Sequence, residues 1–343
     1  MIVKFWGVRG SIPCPPSSEE IRSKIRLVLE TWLKDSPKTQ DPETFLDSLP
    51  DWLTGVVGGN TICLEISDAE SLMVFDAGTG LRSLGQRLIP SDLYELFDQF
   101  LVTERGPFGC QPSPDKEVPL KKLHLFMTHT HWDHIQGFPF FRPAYVPYYQ
   151  IDIIGSNQKA LKAAFEAQQA APDLFPVPVR FMRAKLNFID FPASGYQVNK
   201  FKIDSFPLPH PGGSLAYRVK SRDKIVVFAT DYEIQKLESA PPGWDRTALT
   251  DFIKGADVFI SDTQYTYLDH ATKEGWGHSN ALSVVEMAAQ AGVKSLYLFH
   301  HDPSYSDAKL VDILDKTRAY TQLLKDGARL KIYLAMEGLT LEV

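Results

Sequence analysis

The stretch MTHTHWDHIQG, residues 127–137, closes an apolar run and places three of the chain's nine histidines, with one aspartate, within six positions. In extended backbone, residues two apart project to the same side, so His129 and His131 can grip one ion together. A turn into a helix start then swings Asp133 and His134 toward a second ion nearby. Neutral imidazole nitrogen and carboxylate oxygen suit Zn²⁺, and also Mn²⁺ or Fe²⁺. A lone histidine at a strand end is ordinarily a satisfied polar residue, but this density with a carboxylate at this spacing points to two divalent metal ions.

Outward from that stretch, β-rich runs recur: IVKFWG at the start, NTICLEIS and SLMVFDAGTG as a hairpin-like pair, then LHLFMTH, YQIDIIG, KIVVFATD, DVFISD and KSLYLFHH. Several of them end in His or Asp. Helical stretches lie between them, at SDLYELFDQFL, NQKALKAAFEAQQAA and NALSVVEMAAQAG, the last closed by Gly292 where a C-cap glycine belongs. Strands in succession, then a helix, then strands again, fit two sheets in a sandwich with helices outside better than simple βαβ alternation.

Residues 15–55 interrupt the first strands. Ser17 followed by Glu20 reads as a capping box, and Ile21, Ile25, Val28, Leu29 and Trp32 share one helical face. This segment is read as a helical insertion packed on the outside of the core, in preference to a lid or dimer arm. The Pro-, Gly- and charge-rich stretch 103–119 is read as an exposed loop, and residues 1–343 as a single domain.

Composition limits the function. With 343 residues, 44% apolar and 23% charged, the chain has the make-up of a folded globular protein. A formal charge of −6 gives no general reason to favour a nucleic-acid surface, so a small substrate is expected before a long polyanion. No long apolar run and no signal-peptide pattern appear, which sets the expectation at a cytoplasmic protein without a membrane partner. Cys14, Cys63 and Cys110 are odd in number and widely spaced, so neither a disulfide framework nor a thiolate zinc cage is indicated.

The H-x-H-x-D-H arrangement resembles the metallo-β-lactamase superfamily, whose fold is an α/β, four-layer αββα sandwich with a dinuclear metal site at the sheet edges. The resemblance implies further ligands, each after a strand and in a fixed order. FPLPHPGGSLAYRV supplies His210 for the first metal, IVVFATDYE supplies Asp231 as the bridging carboxylate, and SLYLFHHDP supplies His300, followed by His301, for the second. The sequence does not separate His300 from His301; the strand register favours His300, with His301 then facing substrate or a carboxylate. Asp76, in LMVFDAGTG, is implied to sit beneath the metals and orient a ligand histidine.

Two such metals about 3.5 Å apart can share a hydroxide near neutral pH and offset charge on the group attacked. That chemistry suits phosphodiesters, and equally lactones or thioesters. His278, in KEGWGHSNALSVVEMAAQAG, narrows the choice: it resembles the His-Ser-Thr loop of the ribonuclease Z-like phosphodiesterase branch, with Asn280 in place of the Thr. In that branch the histidine protonates the departing alkoxide, a role worth about 10²–10⁴-fold. FWGVRGSIP, GGNTICLE, DAGTGLR, HTHWDHIQGFPFF, HPGGSLAYR and GWGHS together look like the bacterial group described as 3′,5′-cyclic-nucleotide phosphodiesterases. The resemblance then implies hydrolysis of cyclic AMP or cyclic GMP to the 5′-monophosphate, with His278 and Asp133 as catalytic residues, and a homodimer.

Among aromatics near these motifs, Trp6, Trp132, Phe138 and Trp276 could stack on a base, although strand and helix aromatics are more often core. A tRNA 3′-end endonuclease is the main alternative, against which stands the lack of a basic arm; nucleic acid is therefore not the expected partner. A lactone or thioester hydrolase would have less use for His278. A metal-bound nucleotide sensor or scaffold would be expected to have lost ligands that are all present here.

Overall fold

The computed structural model describes residues 1–35, 41–90, 121–234, 240–242 and 244–343. The helix expected at SDLYELFDQFL, the loop expected at 103–119 and Cys110 lie outside the described residues.

Two seven-stranded sheets face one another. In the first, β1 (Ile2–Gly7) pairs antiparallel with β2 (Cys63–Ser67), and β2 with β3 (Leu72–Phe75), the hairpin expected from the sequence. From there the direction is constant: β3, β4 (Lys121–Phe126), β5 (Tyr149–Gly155) and β6 (Lys185–Asp190) run parallel. The second sheet begins as an antiparallel meander of β7 (Tyr196–Val198), β8 (Phe201–Leu208), β9 (Ser214–Ser221) and β10 (Lys224–Ala229). It continues in parallel through β11 (Val258–Asp262), β12 (Ser295–Phe299) and β13 (Lys331–Leu334). The short β14 (Thr340–Glu342) returns to the first sheet and covers the edge of β1.

Parallel strands covered on both faces have no polar side to show, which is why VFISD of β11 is buried at every position and lacks period-two alternation. Phe5, Phe75, Phe126, Tyr217, Phe228 and Phe299 fill the space between the sheets, with Phe75 and Phe126 stacked at 5.2 Å between ring centroids. Each such ring, taken fully out of water, contributes about 1.5–3 kcal/mol. Helices Gly80–Leu88 and Gln158–Gln168 close the outer face of the first sheet over Val74, Leu125 and Ile151, and helices Arg246–Ile253, Ala281–Gln290 and Asp307–Thr321 flank the second. The architecture is the expected sandwich of two sheets flanked by helices.

The insertion differs from its expectation. The capping box forms: the Ser17 amide donates to Glu20 Oε2 at 2.7 Å and the Glu20 amide to Ser17 Oγ at 3.2 Å, and helix Ser18–Asp35 follows. Its apolar stripe does not lie on a sheet. Ile21, Ile25 and Leu29 remain 46%, 56% and 56% exposed, while Trp32 meets Phe45 of helix Pro42–Ser48 edge-on at 4.7 Å. What ties the helix to the body is polar: Lys24 Nζ donates to Asp307 and to the carbonyls of Trp52 and Gly55. Periodicity of 3.6 fixes which residues share a face, not how much neighbouring structure covers it. No described helix is long and apolar enough to cross a membrane.

Candidate metal centre

Because β3, β4, β10, β11 and β12 are parallel members of their sheets, their C-terminal ends gather at one rim of the sandwich. There Asp76, His129, Asp231, Asp262 and His300 leave the strands within three residues of the last paired position. Three of these turns are tight: Asp76, Asp231 and His300 take left-handed backbone, with φ of 61°, 54° and 61°. Asp and His tolerate that region better than most residues, and such conformations cluster at functional sites.

The opening stretch is anchored before it reaches the centre. Thr128 donates its amide and its hydroxyl to the two oxygens of Asp76, both at 2.8 Å, and His131, in extended backbone, stands at the N-cap of the short helix Trp132–Ile135. The ring of His134 returns to the same carboxylate, its Nδ1 lying 2.8 Å from Asp76 Oδ2. The Asp76 carboxylate thus holds both Thr128 and the His134 ring.

Three other rings follow one pattern, while His131 turns its Nδ1 toward His210 Nε2 at 3.0 Å. His300 Nδ1 donates to Gln264 Oε1 at 2.8 Å, His210 Nδ1 to the Gly277 carbonyl at 2.9 Å, and His129 Nδ1 to Thr128 Oγ1 at 3.0 Å. An outer nitrogen occupied by an acceptor fixes the tautomer and turns Nε2 inward as a free lone pair. Inside, His134 Nε2 and His300 Nε2 lie 3.2 and 3.1 Å from Asp231 Oδ1, and His129 Nε2 and His210 Nε2 lie 3.7 and 3.8 Å from its Oδ2. Asp133 Oδ2 is 3.4 Å from His134 Nε2 and accepts the Ser11 amide at 2.7 Å.

Donor atoms of His129, His131, His210 and Asp231 fall within 4.8 Å of one another, and so do those of Asp133, His134, Asp231 and His300. Asp231 belongs to both groups. Nε2 of His129, His134 and His300 is in each case buried without a hydrogen-bond partner. Unmatched polar atoms at such depth are costly, and a shared cation is what three converging imidazoles and a carboxylate can satisfy together. A third group, Asp231, Asp262, His278 and His300, shares two of these residues, and the donor set as a whole suits divalent metal ions.

Charge within the cluster alternates. Burial pushes His129 well below the usual imidazole range, His134 adding to it, and burial likewise lowers His210 to about 4 although Asp231 opposes it. Burial would also lower His300, but Asp231, Asp133 and Asp262 outweigh it and raise that ring to about 9. Asp231 is driven upward by burial, yet His300, His134 and His129 hold it well below the carboxylate range.

His278 stands at the edge of this cluster. Its ring stacks on His300 at 4.8 Å between centroids, and its Nδ1 lies 2.8 Å from Asp262 Oδ2. Asn280 is the N-cap of the following helix, accepting the Ser283 amide at 3.0 Å, so Ser279 is not the cap. Asp262, Gln264 and Ser11 were not singled out from the sequence. Asp262 had a visible signal as another strand ending in a carboxylate, whereas Gln264 and the Ser11 amide had none.

Two expectations change. His301 does not face a carboxylate: the residue is buried and its Nε2 donates to the Ala335 carbonyl at 2.9 Å, the left-handed turn at His300 directing the two rings apart. The Arg9 charge adds to burial in lowering that ring to about 3. Of the four aromatics, Phe138 is core and Trp6 is half-buried with its Nε1 on Glu65, while Trp132 and Trp276 are exposed.

Comparison with known proteins adds the following. The profile of a family described as a beta-lactamase superfamily domain matches residues 74–301. Ribonuclease Z of Thermoplasma volcanium is 22% identical over 265 residues, covering 63% of this chain and 83% of the relative. Ribonuclease Z of Exiguobacterium sibiricum is 26% identical over 233 residues, covering 55% and 74%. Among solved structures, the metallo-beta-lactamase fold protein YhfI from Bacillus subtilis superposes with a TM-score of 0.59 at 16% identity, over 100% of this chain and 99% of that one.

Proposed function

Since the chain belongs to the beta-lactamase superfamily, we propose that it is a metal-dependent phosphodiesterase that opens 3′,5′-cyclic nucleotides to 5′-monophosphates. The observation that carries the reading is the pairing of Asp262 with His278 beside the two donor groups. Hydrolases of activated esters have little need of a proton donor, whereas an alkoxide leaving a phosphodiester is a poor leaving group.

In this reading His129, His131 and His210 hold one ion, Asp133, His134 and His300 the other, and Asp231 both. Zinc is the proposed metal, with manganese and iron compatible with the same donors. When bound, the two cations supply Lewis acidity that lowers the pKa of water and offsets phosphate charge. Asp76, Gln264 and the Gly277 carbonyl keep three of the ligand rings turned inward, so the centre needs little rearrangement on loading. Asp133, tied to the Ser11 amide, is held on the side of the second group. His278 keeps its Nδ1 proton on Asp262, which leaves Nε2 to deliver a proton to the departing 3′-oxygen.

RNA is a second reading, and the similarity to ribonucleases Z favours it; it also removes the ground on which nucleic acid was set aside as a partner. Metal content by mass spectrometry, with turnover on cyclic AMP, cyclic GMP, bis-(p-nitrophenyl) phosphate and a tRNA precursor, tests both. Two metals and cyclic-nucleotide turnover are expected. Cleavage of the tRNA precursor alone would replace the first reading with the second, and turnover of no diester would end both.

A further inference from the structure

Trp132 and Trp276 stand in solvent beside the donor cluster, 68% and 63% exposed, whereas none of the chain's other four tryptophans is exposed. An indole left in water is a large apolar surface that folding has not used. Both are carried on rigidly held backbone. Glu233 Oε2 accepts the amides of Gly275 at 2.9 Å and Gly277 at 3.1 Å, one on each side of Trp276. Trp132 opens the helix Trp132–Ile135, its carbonyl taking the Gln136 amide at 2.9 Å, while the next carbonyl, of Asp133, takes the Thr61 hydroxyl at 2.7 Å.

The two segments that carry the indoles are also linked through the site itself. Trp132 follows His131, whose Nδ1 lies 3.0 Å from His210 Nε2; the other nitrogen of His210 is bonded to Gly277, next to Trp276. His131 is the exposed member of its donor group, so the cluster reaches solvent at the residue next to Trp132. Gly212 and Gly213 border the same place and put no side chain into it: a methyl at Gly212 would lie 3.9 Å from His131 Nε2, and one at Gly213 would meet nothing within 4 Å.

We propose that Trp132 and Trp276 are stacking platforms for the planar base of a nucleotide whose phosphodiester occupies the donor cluster. The assignment rests on the phosphodiesterase reading above and adds to it the residues that recognise the base. A π-face accepts any nucleobase, so the pair selects nucleotides over base-free phosphodiesters without strong choice between purines.

The test uses the purified protein and its Trp132→Ala, Trp276→Ala, Trp132→Phe and Trp276→Phe variants, with calorimetric binding of adenosine 5′-monophosphate and of ribose 5-phosphate, and steady-state kinetics on cyclic AMP. The wild type is expected to bind the nucleotide at least about tenfold more tightly than the sugar phosphate. Each Ala variant should raise KM for cyclic AMP about tenfold with kcat within about twofold, leave ribose 5-phosphate binding unchanged, and be largely restored by Phe. Equal binding of the two phosphates by the wild type would overturn the proposal, and so would an unchanged KM in both Ala variants. Loss of a dimer in light scattering with nucleotide binding intact would overturn it too, assigning the pair to a contact between chains. Base-dependent binding without any cyclic-AMP turnover would support the platforms while removing the proposed reaction.

Discussion

Nδ1 of His278 and Oδ2 of Asp262 meet at 2.8 Å, joining the loop before helix Ala281–Gln290 to the end of β11. The carboxylate is fully buried, and it decides which nitrogen of the ring carries the proton that stays and which faces the cluster.

From that pairing, His278→Ala is expected to keep two metals and an unchanged KM while lowering kcat on cyclic AMP by about 10²–10⁴-fold. The loss should be much smaller on bis-(p-nitrophenyl) phosphate, whose leaving group needs no proton. Asp262→Asn should approach the same defect, and the double variant should be little worse than either single one. Equal losses on both substrates in steady-state assays would remove the proton-donor role.

Asp231 contributes an oxygen to both donor groups, so Asp231→Ala should leave at most one tightly held metal per chain and essentially no turnover. His134→Ala should lose the metal of the second group alone. Native mass spectrometry distinguishes the two patterns, and retention of two metals by Asp231→Ala would show that the carboxylate does not bridge.

Gly10 lies against the His300 ring, where an added methyl would come within 2.4 Å of Cε1 and 2.5 Å of Nδ1. Gly10→Ala is therefore expected to cost roughly 1–3 kcal/mol by overpacking and to reduce metal content by tilting the ring. Chemical denaturation with metal analysis checks both, and a fully loaded variant of wild-type stability would mean that the loop moves aside freely.

His124 gives a pH dependence remote from the metal centre. Burial lowers this ring to about 4, the Lys122 ammonium adding to it and Asp152 opposing it; Tyr196 packs edge-on at 5.8 Å. The folded state keeps the ring neutral where the unfolded chain protonates it, from about pH 6.5 downward. More protons are then bound by the unfolded chain, so stability falls as pH drops from about 6.5 to about 4 and the contribution is constant outside that window. His124→Gln should flatten this part of the melting-temperature profile relative to wild type, and parallel profiles would refute the assignment.

Much of this was readable from residues alone. His129 and His131 two apart just beyond the end of β4, then Asp133 and His134 after a turn, declare their chemistry locally because their spacing alone groups them. His210, Asp231 and His300 became legible only through the resemblance to the metallo-β-lactamase superfamily, which implies ligands after strands in that order. The Asp262–His278 pairing was half visible, since both residues stand in plain motifs and only the bridge between Tyr265 and Asn280 folds the loop of His278 back onto the end of β11. Gln264 and the Ser11 amide were not visible at all, because an amide side chain or a main-chain N–H acquires its role from position and carries no compositional mark. The insertion shows the opposite failure: the stripe from Ile21 to Trp32 was correctly grouped, but grouping says nothing about the area of the surface opposite.

The placement of Asp231 has a mechanical side. His129, His131 and His134 hang from one sheet, and Asp231, His210 and His300 from the other. Any cation held among them would add a further tie between the two leaves at a rim where the Gly10 amide already reaches the His301 carbonyl and the Leu215 amide the Thr128 carbonyl. Removing it leaves the unmatched imidazole nitrogens of both leaves facing the gap, so that rim should loosen first. Chelation would then appear as faster amide exchange at the strand ends on both sides, well before the aromatic layer between the sheets lets go.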